Sequence, residues 1–441
     1  MKESIKNPSR RKFIKTTSSA FAGSALTINV MANKSPKYQF NSDTLKIGLI
    51  GCGGRGTGAA NQAMNAEDNV ALVAMADVFP DRLKEAYDGL MEENPTKLKV
   101  AEDQKFIGFD AYKKVLETDV DVIILATPPN FRPAHLEACI ETGKHVFFEK
   151  PVAVDAPGIR RVIATAKKAK EKGLGFMSGF CWRYDYPKRA VYDRILRGDI
   201  GNITAIYNTY NTGALWWKEV RPSWGKFKKE LRNWLYYNWL SGDHIVEQAI
   251  HSIDLMSWAM GDKLPIRAVG TGGRQSRTEA KFGNVYDHFA ITYEYENGVK
   301  GHHFSRQQKD TDRAYHIEIM GDKGRSYIDV MKRHEILGAS SKNWRWEDNH
   351  TRDDRPNMYQ VEHDELFASI RAGNPINDGI TAANSTMLAI WGRMVAYTGK
   401  SLTWEEALGS EETLAPTIDD YDWDLDWEML NVAKPGITKF V

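Results

Sequence analysis

Residues 46–56 read KIGLIGCGGRG. Lys46 to Ile50 is a short apolar run of the kind that forms a buried parallel strand. Gly51, Gly53 and Gly56 then follow in G-x-G-x-x-G order, opening a helix expected over about Arg55 to Met64. The first glycine permits a tight turn, the second lets a diphosphate approach the backbone, and the third lets the helix pack closely on the strand. Free N–H groups at the helix start face the phosphates. A second apolar run, Val70 to Ala76, ends at Asp77, 21 residues past Gly56. A carboxylate there hydrogen-bonds a ribose 2′-hydroxyl and repels a 2′-phosphate, favouring NAD over NADP. Gly51, Cys52, Gly53, Gly54, Arg55, Gly56 and Asp77 are therefore the first cofactor-binding candidates.

The chain has 441 residues, enough for two domains with a large core. A net charge of +1 gives no global field to recruit nucleic acid or a membrane. Nothing after the N-terminus is long and apolar enough to span a bilayer. The cysteines Cys52, Cys139 and Cys181 form no disulfide framework and match no zinc spacing. Cys52 reads as a small residue in a crowded turn. Ser9 to Lys15, SRRKFIK, matches the twin-arginine export pattern, with a weakly apolar stretch and a cleavage position after Ala32. That route carries folded proteins, so a periplasmic or exported protein loaded with cofactor in the cytoplasm is expected, with residues 1–40 as signal and linker.

From Lys46 to about Pro151 strand and helix signals alternate. A polar helix is expected near Asp81 to Glu92, and Asp110 is placed to cap another over Tyr112 to Glu117. Val120 to Ala126 is an apolar strand, broken by Thr127-Pro128-Pro129-Asn130. A helix over Arg132 to Thr142 stops at Gly143. His145 to Phe148 is the next strand, closed by Glu149-Lys150-Pro151; a helix over Ile159 to Lys172 and a strand near Gly175 to Ser178 follow. This rhythm predicts an α/β Rossmann domain with a doubly wound parallel sheet over residues 44–180. Later strand-like stretches (Thr204 to Asn211, Ile266 to Thr271, His288 to Tyr295, His316 to Met320) lack regular helices between them. They predict an α+β domain over residues 181–441 with a largely antiparallel open sheet. Helices are expected near Met358 to Ala372 and Gly379 to Thr398, with C-terminal segments packing back on the first domain. The acidic, aromatic stretch around Asp419 to Glu428 reads as a packed surface extension.

On Gly51 to Gly56, Glu149-Lys150-Pro151 and the Gly242 to Asp254 segment, the chain resembles the glucose–fructose oxidoreductase/inositol dehydrogenase (Gfo/Idh/MocA) family over nearly all of its length past residue 44. The resemblance implies a nicotinamide-dependent oxidoreductase acting on a small carbohydrate. The family's E-K-P lysine, which borders the nicotinamide and the reacting hydroxyl, is Lys150 here. Its D-x-x-x-H pattern followed by an aspartate, on a helix opening the substrate domain, aligns with Glu247, His251 and Asp254, with glutamate where aspartate is usual. Arg183, in Cys181-Trp182-Arg183-Tyr184, matches a position near the nicotinamide. Further cofactor contacts implied are Thr127, Pro128, Asn130, His135, Glu149, Lys150 and Trp182. Substrate contacts are Lys150, Tyr184, Trp239, His244 and His251.

Oxidising a secondary alcohol requires removal of the hydroxyl proton while hydride leaves carbon, and an imidazole can take that proton near neutral pH. His251 is the candidate base. On a continuous helix Glu247 lies one turn earlier and can orient the ring. Lys150 would hydrogen-bond the substrate oxygen and stabilise developing negative charge. His244, Glu247 and His251 also fall at i, i+3 and i+7, a spacing that could hold a metal, although the family uses none there. Five tryptophans between Tyr207 and Trp239 (Trp216, Trp217, Trp224, Trp234, Trp239) favour a carbohydrate-like substrate as a group. The expected function is hydride transfer between a sugar or glycoside hydroxyl and tightly bound NAD, one product being a 3-keto-glycoside. The alternatives are a redox-neutral NAD-dependent glycosidase working by oxidation, elimination, addition and reduction, and a non-catalytic dinucleotide-binding protein. A homo-oligomer paired through an open sheet face is expected.

Overall fold

The computed structural model describes residues 43–330, 332–338, 343–348, 356–425 and 427–441. Residues 9–15, expected to form a twin-arginine signal, lie outside the described residues. Two sheets organise the chain. The first contains β1 (Leu45–Ile50), β2 (Val70–Asp77), β3 (Lys105–Ile107), β4 (Val122–Leu125), β5 (His145–Phe148) and β6 (Phe176–Ser178). Their spatial order is β3-β2-β1-β4-β5-β6 with every pair parallel. This is the doubly wound order in which ligands bind beyond the carboxyl ends of the strands where the order reverses, between β1 and β4. The strands are buried on both faces because helices cover both, which is why they read as unbroken apolar runs.

The second sheet has nine strands: β7 (Ile203–Thr212), β8 (Arg267–Gly273), β9 (His288–Glu294), β10 (Lys300–Gln307), β11 (Ala314–Gly321), β12 (Gly324–Asp329), β13 (Arg333–Gly338), β14 (Trp344–Arg345) and β15 (Leu402–Thr403), in the order β14-β13-β12-β11-β7-β10-β9-β8-β15. Among the described residues, only β7 with β10 is a parallel pair in this sheet. The α/β plus largely antiparallel α+β class thus holds. Several strands escaped the sequence reading. In β10, KGHHFSRQ, the inward residues are Gly301, His303, Ser305 and Gln307, so no hydrophobic alternation marks the strand.

Five helices matter below: α1 (Gly54–Asn65), α2 (His244–Glu247), α3 (Ile250–Ala259), α4 (Met358–Arg371) and α5 (Gly379–Thr398). The chain returns to the first sheet through α4, where Gln360 bonds the Gln62 carbonyl (2.9 Å) on α1 and the Phe176 N–H donates to the Ile376 carbonyl (2.9 Å). Helix α5 is buried nearly all round. The tail packs inward, with Trp423 4.9 Å from Phe109 and 5.4 Å from Phe79, and Tyr421 against Phe131 at 5.4 Å. The expected Asp110 cap is not made. Its carboxylate pairs instead with Lys113 at 2.8 Å, and no side chain caps that helix.

Candidate active site

A cleft of about 470 Å³ opens above the glycine loop. Gly51 adopts φ +97°, as the turn requires. A Cβ on Gly56 would lie 1.9 Å from the Gly51 carbonyl oxygen, so the helix approaches too closely for any side chain. A Cβ on Gly53 or Gly54 would meet nothing within 4 Å, leaving the space a diphosphate needs. The Asp77 carboxylate accepts the Cys52 N–H (2.7 Å) and the Phe79 N–H (2.8 Å), which fixes it at the lip of the cleft. Burial pushes its pKa up while those N–H groups pull it down. Thr127, Pro128 and His135 line the opposite wall. The His135 ring stacks on Tyr112 at 4.0 Å, and burial lowers its pKa to about 3, so it stays neutral. The residues present therefore fit a dinucleotide.

Arg55 also lines the cleft, and the other cofactor candidates lie outside its lining. The Asn130 amide donates to Tyr421 Oη (3.1 Å) and its carbonyl oxygen is sealed without a partner, so it serves the tail. Cys52 is buried with its thiol donating to the Ala76 carbonyl. Arg55 and Glu149 pair with one another at 3.0 Å, without hydrogen-bond alignment. Arg183 forks onto Asp254 (2.8 Å) and also reaches Asp262 (2.7 Å), with Ser385 completing Asp254. Arg183 is thus an ion-pair centre, with Asp254 as its buried partner. Arg132, which the sequence did not single out, donates to the carbonyls of Thr127 and Pro151 and so ties the cleft wall to the E-K-P segment.

Lys150, whose peptide to Pro151 is cis, reaches across to the second sheet's helices. Its Nζ donates to the Glu247 carbonyl at 2.5 Å. The expected continuous helix is broken at this point, since Gln248 has φ −117° and α2 and α3 are separate. The His251 N–H turns to the Gln248 carbonyl (3.4 Å). Glu247 and His251 consequently make no hydrogen bond, and the orienting contact expected between them is absent. The His251 ring is held by stacking on Trp182 (4.8 Å, 28°), with Phe180 edge-on at 6.2 Å. Its Nδ1 is sealed without a partner. Burial, reinforced by Lys150 and Lys188, holds its pKa well below the usual histidine range. His251 is therefore a neutral imidazole able to accept a proton.

The helix break also removes His244 from any shared face. Its Nδ1 points to the Tyr286 carbonyl (3.3 Å) and it is 1% exposed. Trp239 is fully buried, stacked on Phe227 and donating to Glu230 (2.8 Å); it is core, not a substrate platform. Tyr184 is likewise buried, under the Arg189 guanidinium at 4.7 Å. Trp216 and Trp234 line the dinucleotide cleft beside Phe79, so the aromatic stretch roofs the glycine-loop end instead of flanking Lys150. Arg232, stacked over Phe79 (3.7 Å) and paired with Asp81 (2.5 Å), pins that roof down. A polar network, also unforeseen, lies near Glu247. Arg277 bonds the Tyr286 carbonyl (3.2 Å) and Gln307, and Gln307 bonds Gln248 at 2.8 Å.

Comparison with known proteins agrees with this architecture. Residues 45–176 match the oxidoreductase family model described as a NAD-binding Rossmann fold of the Gfo/Idh/MocA group, and residues 189–327 match a C-terminal domain model of the same group. The chain is 25% identical to myo-inositol 2-dehydrogenase of Thermotoga maritima, over 66% of this chain and 78% of that protein. It is 24% identical to 2,7-anhydro-N-acetylneuraminate hydratase of Escherichia coli, over 75% of this chain and 80% of that one. A solved levoglucosan dehydrogenase, in complex with NADH and levoglucosan, superposes with a TM-score of 0.64 at 18% identity, covering 82% of this chain and 99% of that one. The two matched segments together span more than half of the sequence, and the chain belongs to the Gfo/Idh/MocA family of oxidoreductases.

Proposed function

We propose that the protein is an NAD-dependent oxidoreductase that oxidises a secondary hydroxyl of a sugar or glycoside. The observation that carries this is Lys150, held against the α2–α3 break beside a neutral His251. When bound, NAD supplies the hydride acceptor. The glycine loop and Asp77 would hold its diphosphate and adenosine ribose, and the Asp77 carboxylate favours NAD over NADP. His251 takes the hydroxyl proton, and Lys150 donates a hydrogen bond to the oxygen as charge develops. Trp182 and Phe180 hold the imidazole in place. The test is NADH formation by the purified protein across a panel of sugars and aryl glycosides, with Lys150→Met slower by about 100-fold or more. No NADH with any of them would overturn the reading.

The redox-neutral hydrolytic reading is favoured by one observation, the unpaired Glu247 carboxylate, and by the relative named as a hydratase. Repeated release of phenol from an aryl glycoside without added cofactor distinguishes it from a simple dehydrogenase. We also propose a homo-oligomer. A ladder of rings, Phe304, Tyr207, His316 and Tyr327, crosses four adjacent strands on the open face at 5.3 to 5.8 Å spacing. Tyr207→Glu should lower the sedimentation mass, and an unchanged or monomeric wild-type mass would sink the idea.

A further inference from the structure

A second and larger groove, of about 1020 Å³, lies against the dinucleotide cleft and shares Val78, Phe79, Arg82, Lys218 and Arg232 with it. Neither Lys150 nor His251 lines this groove. Its other walls come from the start of the helix Pro80–Glu93, from Ile107, from residues 219–224, from Lys228 in the helix Lys226–Arg232, and from Trp423 of the tail. Five cations reach it. Two are neutralised, since Arg82 donates to Glu85 (2.9 Å) and Arg232 to Asp81 (2.5 Å). Lys218, Arg221 and Lys228 pair with no carboxylate among the described residues and rest on rings instead. They lie 5.9 Å from Trp216, 5.8 Å from Trp224 and 5.6 Å from Trp423. Against these three stands one unpaired carboxylate of the lining, Glu219. The Arg232 side chain is 9% exposed and its Nε has no hydrogen-bond acceptor, so the guanidinium common to both cavities also has a donor to spare.

The spacing of these groups selects the ligand. A small inorganic anion needs donors that converge on one point. Here the three unpaired cations are divided between the 218–221 loop and a helix, with apolar surface between them. Ile107 and Trp423, at 43% and 39% exposure, are part of that surface. The matching ligand is therefore long, with anionic groups spaced along it and apolar faces between. A nucleic-acid strand would need open ring faces for its bases. Trp224 lies under Arg221 and Arg232, and Trp423 lies against Phe79, Phe109 and Lys228, so those faces are taken. A pyranose ring asks less, since its C–H face packs on any apolar surface or ring edge. We propose that this groove is an anchoring site for an acidic oligosaccharide. Lys218, Arg221 and Lys228 hold its carboxylates, and its sugar faces lie along Ile107, Trp224 and Trp423. The site goes beyond the hydride-transfer reading, because no residue of that chemistry lines it.

The experiment titrates the full-length protein, saturated with NAD, with a short oligogalacturonate while calorimetry and indole fluorescence follow binding. Parallel titrations use a maltooligosaccharide of equal length, inorganic phosphate and a single-stranded DNA oligonucleotide. Oligogalacturonate should bind with NAD in place, and its affinity should fall as salt rises to about 0.3 M. The uncharged sugar should bind weaker by about tenfold or more. Arg221→Glu combined with Lys228→Glu should weaken oligogalacturonate by about tenfold or more. Neither residue lines the dinucleotide cleft, so the melting temperature and NAD affinity should hold. Arg221→Gln with Lys228→Gln, which adds no new charge, should weaken it by about fivefold and guards against a folding defect in the charge reversal. Absence of oligogalacturonate binding, equal binding of the uncharged sugar, or undiminished binding in both double variants overturns the proposal. So does phosphate or DNA bound as tightly as oligogalacturonate. None of these readouts involves NADH formation, so their failure leaves the sugar-oxidising reading standing.

Discussion

The Lys150 ammonium occupies, at 2.5 Å, the Glu247 main-chain oxygen that an unbroken helix would reserve for the His251 N–H. This contact ties the E-K-P segment to the α2–α3 junction, where Glu247 and His251 leave a common helical register. It leaves one side chain a stacked neutral base and the other an unbonded acid. The chemistry proposed for the site follows from that separation.

The Glu247 environment predicts a pH-dependent stability. Its folded pKa of about 7 lies above the unfolded carboxylate value, so the native state binds more protons between those values. Stability should therefore fall as pH rises through that window, with the full loss present above pH 7. Glu247→Gln should raise stability at pH 8 by about 2 to 3 kcal/mol relative to wild type and change it little at pH 4. Urea melts at the two pH values measure this, and an equal effect at both refutes it.

The two glycines of the loop should separate folding from cofactor binding. Gly53→Val places its side chain in open space, so the melting temperature should hold while NAD affinity drops by more than about 100-fold. Gly56→Ala collides with the Gly51 carbonyl and should destabilise the fold by roughly 2 kcal/mol or more. Calorimetry with and without NAD reads both effects.

Arg232 holds the roof of the cleft through Phe79 and Asp81. Its replacement by alanine should speed NAD dissociation by about tenfold or more, as measured by stopped-flow displacement, with little change in the turnover of saturated enzyme. A dissociation rate equal to wild type would show that the roof does not retain the cofactor.

Arg183 separates a structural role from a cofactor role. Arg183→Met leaves Asp254 and Asp262 without their cation and should cost about 3 to 5 kcal/mol. The NAD dissociation constant of the folded fraction should stay within about twofold. A selective loss of NAD binding at unchanged stability would restore the cofactor role.

The export reading has its own check. Replacing Arg10 and Arg11 with lysine should leave the protein in the cytoplasm, as fractionation would show, and continued export would remove the twin-arginine assignment.

The glycine loop, Asp77 and five of the six strands of the first sheet were legible because glycine spacing and buried apolar runs are local signals, whereas the short strand Lys105–Ile107 was read as loop. The Lys150 position was legible through its motif. What escaped has long-range causes. At the break beside Gln248, the freed Glu247 carbonyl meets an ammonium from 97 residues earlier in the chain. Gln307 sits on a strand with polar inward residues, and Arg277 lies outside any regular element, so neither carries a periodic signature. Trp239 and Tyr184 were misread because composition cannot tell a ring that stacks on a ligand from one that stacks on Phe227 or beneath Arg189.

The roof over the dinucleotide cleft is built from residues 216–234 and backed by Tyr421 and Trp423, while the floor is complete by residue 135. During synthesis the floor emerges first and its cover last, so a nascent chain offers an open berth that the finished molecule closes. Refolding with NAD present from the outset should therefore outpace adding it afterwards.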